Sequence, residues 1–177
     1  MKKILSTLIV IAILSVTSHS AYAQYEKGDK LLNVGIGLGT FGLYGNGVPI
    51  NVSAEYGFTN QISGGVYAAI VSTKYLGGDW RYSYVYVGPR ASYHFNELLK
   101  LNIEKLDIYA GAGLYVRTYS AKYKGGGTYN NDYKTSYTDI VPSVHAGARY
   151  YFKPALSGWA EVGYGASPLQ LGISFKF

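Results

Sequence analysis

From residue 32 onward the chain alternates large apolar residues with small or polar ones, a period of two that predicts strands rather than helices. Leu32, Val34, Ile36 and Leu38 alternate with Asn33, Gly35, Gly37 and Gly39; Ile50, Val52, Ala54, Tyr56 and Phe58 alternate with Asn51, Ser53, Glu55 and Gly57. Further runs have apolar sets at Val85 to Phe95, Leu106 to Val116, Ile140 to Phe152, Ala160 to Ala166 and Leu169 to Phe177. The run from Ile62 to Thr73 is apolar or small on both sides, so alternation assigns it no facing. Eight strands result, and an even number returns both chain ends to one side of the sheet.

The connections fall into two sets. Those near Thr59-Asn60, Asn96 to Glu104 and Lys153-Pro154 belong to one end. Those at Thr40 to Gly47, Lys74 to Arg81 and Ser120 to Tyr137 belong to the other, and are mostly longer and richer in Gly, Tyr and Asn. Short turns at one rim and longer loops at the other match a transmembrane barrel, whose strands need about 9–11 residues each.

Facing separates this reading from a water-soluble, lipocalin-like barrel, in which the charged set meets water. The apolar set holds no Lys, Arg, Asp or Glu on the seven strands with an assigned facing. A Lys or Arg facing mid-bilayer costs about 2–4 kcal/mol, so the apolar set is predicted to face lipid. The fold class is all-β, an eight-stranded antiparallel up-and-down transmembrane barrel.

The first 23 residues precede this domain. Lys2 and Lys3, the apolar run Ile4 to Val16, and Ala21-Tyr22-Ala23 read as a secretory signal peptide. Its removal leaves 177 − 23 = 154 residues, from 24 to 177, enough for one domain. It also lowers the net charge from +6 by the two lysines, to +4. That mild excess, without a basic cluster, gives no argument for nucleic acid. The absence of cysteine excludes disulfides, thiolate metal sites, cysteine nucleophiles and lipoprotein acylation.

Several motifs resolve to structural readings. The glycines of "VGIGLGT" (Val34 to Thr40) recur at every second position, as lumen glycines do, and no helix follows to hold a phosphate. His94 and His145 lie on the inward set without a third ligand, so no metal, cofactor or catalytic residue is expected. Glu55, Arg90, Arg149 and Glu161 fall about four or five residues from the short-turn end, also on the inward set. Buried charges must pair, so they are expected to form a lumen layer, with Arg149 opposite Glu161 if the intervening turn is regular. Such a layer plugs the lumen; re-pairing would make it a gate. Pro89 and Pro142 interrupt strands and mark candidate bulges, and a bulge at Pro89 would reverse the facing of Arg90. Tyr123, Tyr129, Tyr133 and Tyr137 make the longest loop a candidate contact surface, since tyrosine brings large contact area at low entropy cost.

The segments "KLDIYAGAGLYV" (Lys105 to Val116), "VHAGARYYF" (Val144 to Phe152), "WAEVGYG" (Trp159 to Gly165) and "LGISFKF" (Leu171 to Phe177) resemble the porin-like β-barrel family common in Bacteroidota, which is related in form to the OmpX and OmpA barrels. The resemblance implies an outer-membrane protein of a Gram-negative envelope with both termini in the periplasm. It implies contact with outer-membrane lipid and lipopolysaccharide, and a last strand, ending in Phe175 and Phe177, that is read by the barrel-assembly machinery. The expected protein is a monomer with a plugged lumen and a structural or surface-interaction role through its loops, open to a membrane-protein partner. A narrow conduit for ions or small solutes is the first alternative, a lipid-modifying enzyme the second.

Overall fold

A computed structural model describes residues 25–41, 47–74, 80–101, 103–123 and 134–177. The segment expected to be a signal peptide, Tyr129 and Tyr133 lie outside the described residues. The strands are β1 (Lys30–Leu38), β2 (Ile50–Gly57), β3 (Ile62–Lys74), β4 (Trp80–His94), β5 (Leu106–Tyr123), β6 (Lys134–Lys153), β7 (Leu156–Tyr164) and β8 (Leu169–Lys176). Each pairs antiparallel with the next, and β1 pairs with β8 to close a barrel. Beyond the last strand residue, the Phe177 N–H donates to the Lys30 carbonyl at 2.9 Å.

The apolar sets face outward on every strand. β3, ambiguous in sequence, turns Val66 and Ile70 outward and buries Ser63, Tyr67, Ala69, Val71 and Thr73 inside. A ring of exposed Val, Ile, Leu, Tyr and Phe around a closed sheet inverts the arrangement of a water-soluble barrel. In water it would be a large uncovered apolar surface; in a bilayer it is the buried one.

Neither proline produces a bulge. The β3–β4 ladder runs unbroken through Val66↔Pro89. On the β5 side Gly88 and Pro89 leave a gap, but Val87↔Val116 and Arg90↔Gly113 keep one register across it. Pro89 therefore removes a donor toward β5 without shifting the strand, and Arg90 stays inside. Pro142 pairs with Leu114 of β5 and lies beyond the end of the β7 ladder at Val144, where no donor is required.

The irregularity sits instead between Tyr151 and Lys153. A two-residue turn, Pro154-Ala155, sets Lys153 opposite Leu156. Continued without interruption, that register would place inward Arg149 opposite outward Ala160, and a one-residue offset of this kind exchanges the two faces. The bulge restores parity and puts Arg149 opposite Trp159, with Glu161 opposite Gly147. The expected Arg149–Glu161 cross-strand pair is thus corrected.

The wall is uneven. β1, β2, β7 and β8 have 8 or 9 residues, whereas β4, β5 and β6 have 15, 18 and 20. Tyr123 and Tyr137, expected in a loop, are strand residues, Tyr137 facing Tyr119 across the β5–β6 ladder. Above the apolar band both faces of this extension are polar or aromatic, so the period-two signal that marks a half-buried strand disappears.

Candidate functional site

At the end of the barrel where β1 begins and β8 ends, the inward residues form a buried polar network. Arg90 on β4 reaches across the lumen to Glu161 on β7, its Nη2 donating to Oε1 at 2.7 Å. Tyr109 donates its hydroxyl to the same Oε1 at 3.0 Å. Arg149 on β6 donates to Asp107 on β5 at 2.8 Å, and its guanidinium lies 3.6 Å from Glu55 on β2. Asn33 ties the other wall in, donating to Glu55 at 2.5 Å and to Ser53 at 2.9 Å. Arg149 also lies over the Tyr109 ring, 4.8 Å from its centroid.

The structure therefore brings Glu55, Arg90, Arg149 and Glu161 into one neighbourhood, but as two separate pairs with different partners. Asp107, the missing acid, stands on the inward set by the same alternation that places the others. Its role as the partner of Arg149 rests on the register of β5 with β6, where the two are directly opposite.

A Ser–His–Asp chain lies beside these pairs. His94 Nδ1 is 2.8 Å from Asp107 Oδ1, and its Nε2 is 3.0 Å from Ser63 Oγ. In a hydrolase this order would activate the serine. Here the Ser63 hydroxyl donates to Glu55 at 3.1 Å, and Ser63 and Asp107 are both 0% exposed. Tyr25 seals the chain from the open end of the barrel, its ring stacked on His94 at 3.5 Å and 4°. The Tyr25 hydroxyl donates to the carbonyls of Ile62 and Thr59 at 2.7 and 3.0 Å. Burial, then the charge of Asp29, pushes this phenol up, so it stays a donor. No substrate carbonyl reaches Ser63 in this arrangement, and its chemistry is that of a buried hydrogen-bond relay. His145 lies higher and bonds only Ser92, at 2.9 Å. Among the described residues, no three His, Asp or Glu side chains are grouped as metal ligands.

Glycine makes room for these side chains. A Cβ on Gly35 would come within 2.6 Å of the Trp159 ring, and one on Gly172 within 2.7 Å from the neighbouring strand. An eight-stranded barrel has an interior only as wide as its side chains, so each large inward residue needs small ones around it. Higher in the lumen, Tyr67 and Tyr115 stack at 4.8 Å, packed with Tyr86, and Tyr67 donates to Gln170 at 2.8 Å. The lumen is filled at two levels, ionic below and aromatic above.

At the opposite end, the inward side of the β4–β6 extension carries Trp80, Tyr82, Tyr84, Tyr119 and Tyr123. Trp80 packs on Tyr123 at 5.0 Å, and Tyr84 on Tyr119 at 5.1 Å. Arg117, paired with Asp139 opposite it, lies 5.5 Å from the centre of the Tyr84 ring. The two described loop candidates, Tyr123 and Tyr137, belong to this aromatic surface. Phe175 and Phe177 sit on the outward set at the closing seam, Phe177 being half exposed.

No protein-family model matches the chain, and no curated protein is recognisably related to it. Solved structures do match. Ail, the attachment invasion locus protein of Yersinia pestis, has a TM-score of 0.55 at 16% identity, covering 85% of this chain and 99% of Ail. The outer membrane protein OprG of Pseudomonas aeruginosa has a TM-score of 0.55 at 12% identity, covering 88% and 98%. Neisserial surface protein A has a TM-score of 0.54 at 18% identity, covering 84% and 94%. At these identities the likeness establishes the fold. The chain is a closed, eight-stranded antiparallel β-barrel resembling small outer-membrane barrels.

Proposed function

We propose that the protein resides in the outer membrane with both termini in the periplasm, and that it works through its loop end rather than through its lumen. The observation that carries this reading is the double closure of the lumen, by the Arg90–Glu161 and Arg149–Asp107 pairs below and by stacked tyrosines above. A filled interior supports neither a conduit nor a catalytic cavity. The loop end, by contrast, extends three strands and a set of aromatic rings beyond the apolar band, as surface recognition by rigid aromatic side chains requires. The proposed role is surface interaction as a monomer, without cofactor, metal or catalysis, and Ail and Neisserial surface protein A are proteins of attachment and surface by name.

Two measurements test it. An epitope inserted in the 124–133 connection should be accessible to antibody on intact cells, whereas one appended after Phe177 should require permeabilised cells. Purified protein in planar bilayers should carry no steady ohmic current. The reversed labelling pattern overturns the orientation, and stable conductance overturns the sealed lumen in favour of a conduit.

A further inference from the structure

Just above the apolar band, the outer face of β3 to β6 carries three successive cross-strand rows of changing chemistry. The first is Ile70, Val85, Thr118 and Thr138. Two residues further along each strand, the second consists of four serines, Ser72, Ser83, Ser120 and Ser136. The third consists of four cations, Lys74, Arg81, Lys122 and Lys134, each directly opposite the next. All four cations are exposed. Among the described residues, the ion pairs formed include none of them.

Like charges opposite one another on neighbouring strands repel, and four in line repel most. A sheet holds such a row at least cost when a multivalent anion lies along it. The row continues the lipid-facing surface through a step of hydroxyls, as a bilayer passes from hydrocarbon to headgroup. Neighbouring strands are about 4.8 Å apart and tilted by about 35–45°, so three strand steps climb roughly 8–10 Å, a headgroup layer in depth. The rest of the wall differs. At the same end β7, β8, β1 and β2 turn Tyr164, Leu171, Leu38 and Ile50 outward, with no charge among them. The basic surface is one-sided and continuous with the lipid contact.

We infer that Lys74, Arg81, Lys122 and Lys134 form a binding site for the phosphate groups of an anionic glycolipid in the outer leaflet. Lys supplies compact charges and Arg81 a two-pronged fork for phosphate oxygens, while the serine row offers hydroxyls to the sugar or acyl carbonyls beneath. Its occupant is a membrane-embedded lipid, because a soluble anion has no need of the apolar and hydroxyl rows below. This site rests on the outer-membrane reading and on the loop end facing outward.

The test titrates the detergent-folded barrel with bisphosphorylated lipid A and with dephosphorylated lipid A, counting bound lipid by native mass spectrometry. Wild type should bind the phosphorylated form about tenfold or more tightly, since each basic residue near an anionic headgroup adds to affinity. The Lys74→Gln/Arg81→Gln/Lys122→Gln/Lys134→Gln variant should lose that preference, and Lys74→Arg/Lys122→Arg/Lys134→Arg should keep it. Inorganic phosphate should not displace the lipid. Equal binding of the two lipids by wild type overturns the inference whether or not the neutralised variant folds. So does an undiminished preference in that variant once folded, and displacement by inorganic phosphate would make the site one for free anions. Insertion into neutral phosphatidylcholine vesicles is measured separately. A chain that fails to insert refutes the membrane reading, whereas one that inserts without phosphate preference refutes this site alone.

Discussion

Arg90 and Glu161 meet across the lumen at 2.7 Å although β4 and β7 are three strands apart and share no ladder. Their contact braces opposite walls of the barrel, which no cross-strand pair does. Both side chains are almost wholly buried, so removing one leaves the other as an uncompensated charge, at a cost of about 3–5 kcal/mol. Glu161→Gln alone should therefore destabilise the barrel more than Glu161→Gln combined with Arg90→Gln. Urea unfolding from lipid vesicles reads the difference. If the double variant is less stable than wild type by the full sum of the two single effects, the two residues are not coupled.

The hydrogen bonds around His94 dictate how its ring is protonated. A carboxylate only accepts, so the His94 Nδ1–H donates to Asp107, while Nε2 and Glu55 share the Ser63 hydroxyl. Nitrogen-15 spectra of histidine-labelled protein should show a protonated, hydrogen-bonded Nδ1 for His94, and Asp107→Asn should shift that resonance. An Nδ1 without its proton would overturn the donation to Asp107.

Gly35 leaves no room for a side chain between the Trp159 ring and the Leu171 carbonyl, which a Cβ would approach to 2.6 and 2.5 Å. Gly35→Ala should cost about 1–3 kcal/mol, the usual penalty of overpacking. Adding Trp159→Leu should recover only part of it, because the backbone contact persists. Full recovery would place all of the strain on the ring. Fluorescence-monitored refolding into vesicles measures both variants.

Phe177 lies one residue beyond β8, and its backbone N–H makes the last bond of the closing seam. Deleting it should lower the amount of assembled barrel in the outer membrane while export and signal cleavage proceed. The assembled fraction is read on gels, where the closed barrel should migrate faster unheated than boiled. An unchanged heat-shifted fraction would reduce the terminal aromatic to the end of a strand.

Strand number and facing were legible in the residues because each wall separates two different environments. Val34, Ile36 and Leu38 meet lipid while Asn33, Gly35 and Gly37 meet a crowded interior, and a period of two records that contrast directly. Where the contrast fades, so does the signal. β3 is apolar or small on both sides. Trp80 to Tyr84 and Ser120 to Tyr123 stand above the hydrocarbon, and their strand character comes from ladder bonding that sequence alone does not display.

Which inward charge meets which was decided by the closed tertiary structure. Alternation placed Glu55, Arg90, Asp107, Arg149 and Glu161 on the inner wall, yet partnership depends on register and on distance across the lumen. The two-residue turn and the bulge near Tyr151 together set Arg149 opposite Trp159 rather than Glu161, and barrel closure delivered Glu161 to Arg90. The four cations Lys74, Arg81, Lys122 and Lys134 are likewise unevenly spaced along the chain, and only the pairing of β3, β4, β5 and β6 sets them side by side. Facing is a local property that each residue shares with its neighbours two positions away. Partnership is set by ladder offsets that accumulate around the barrel, and those are established only when the sheet closes.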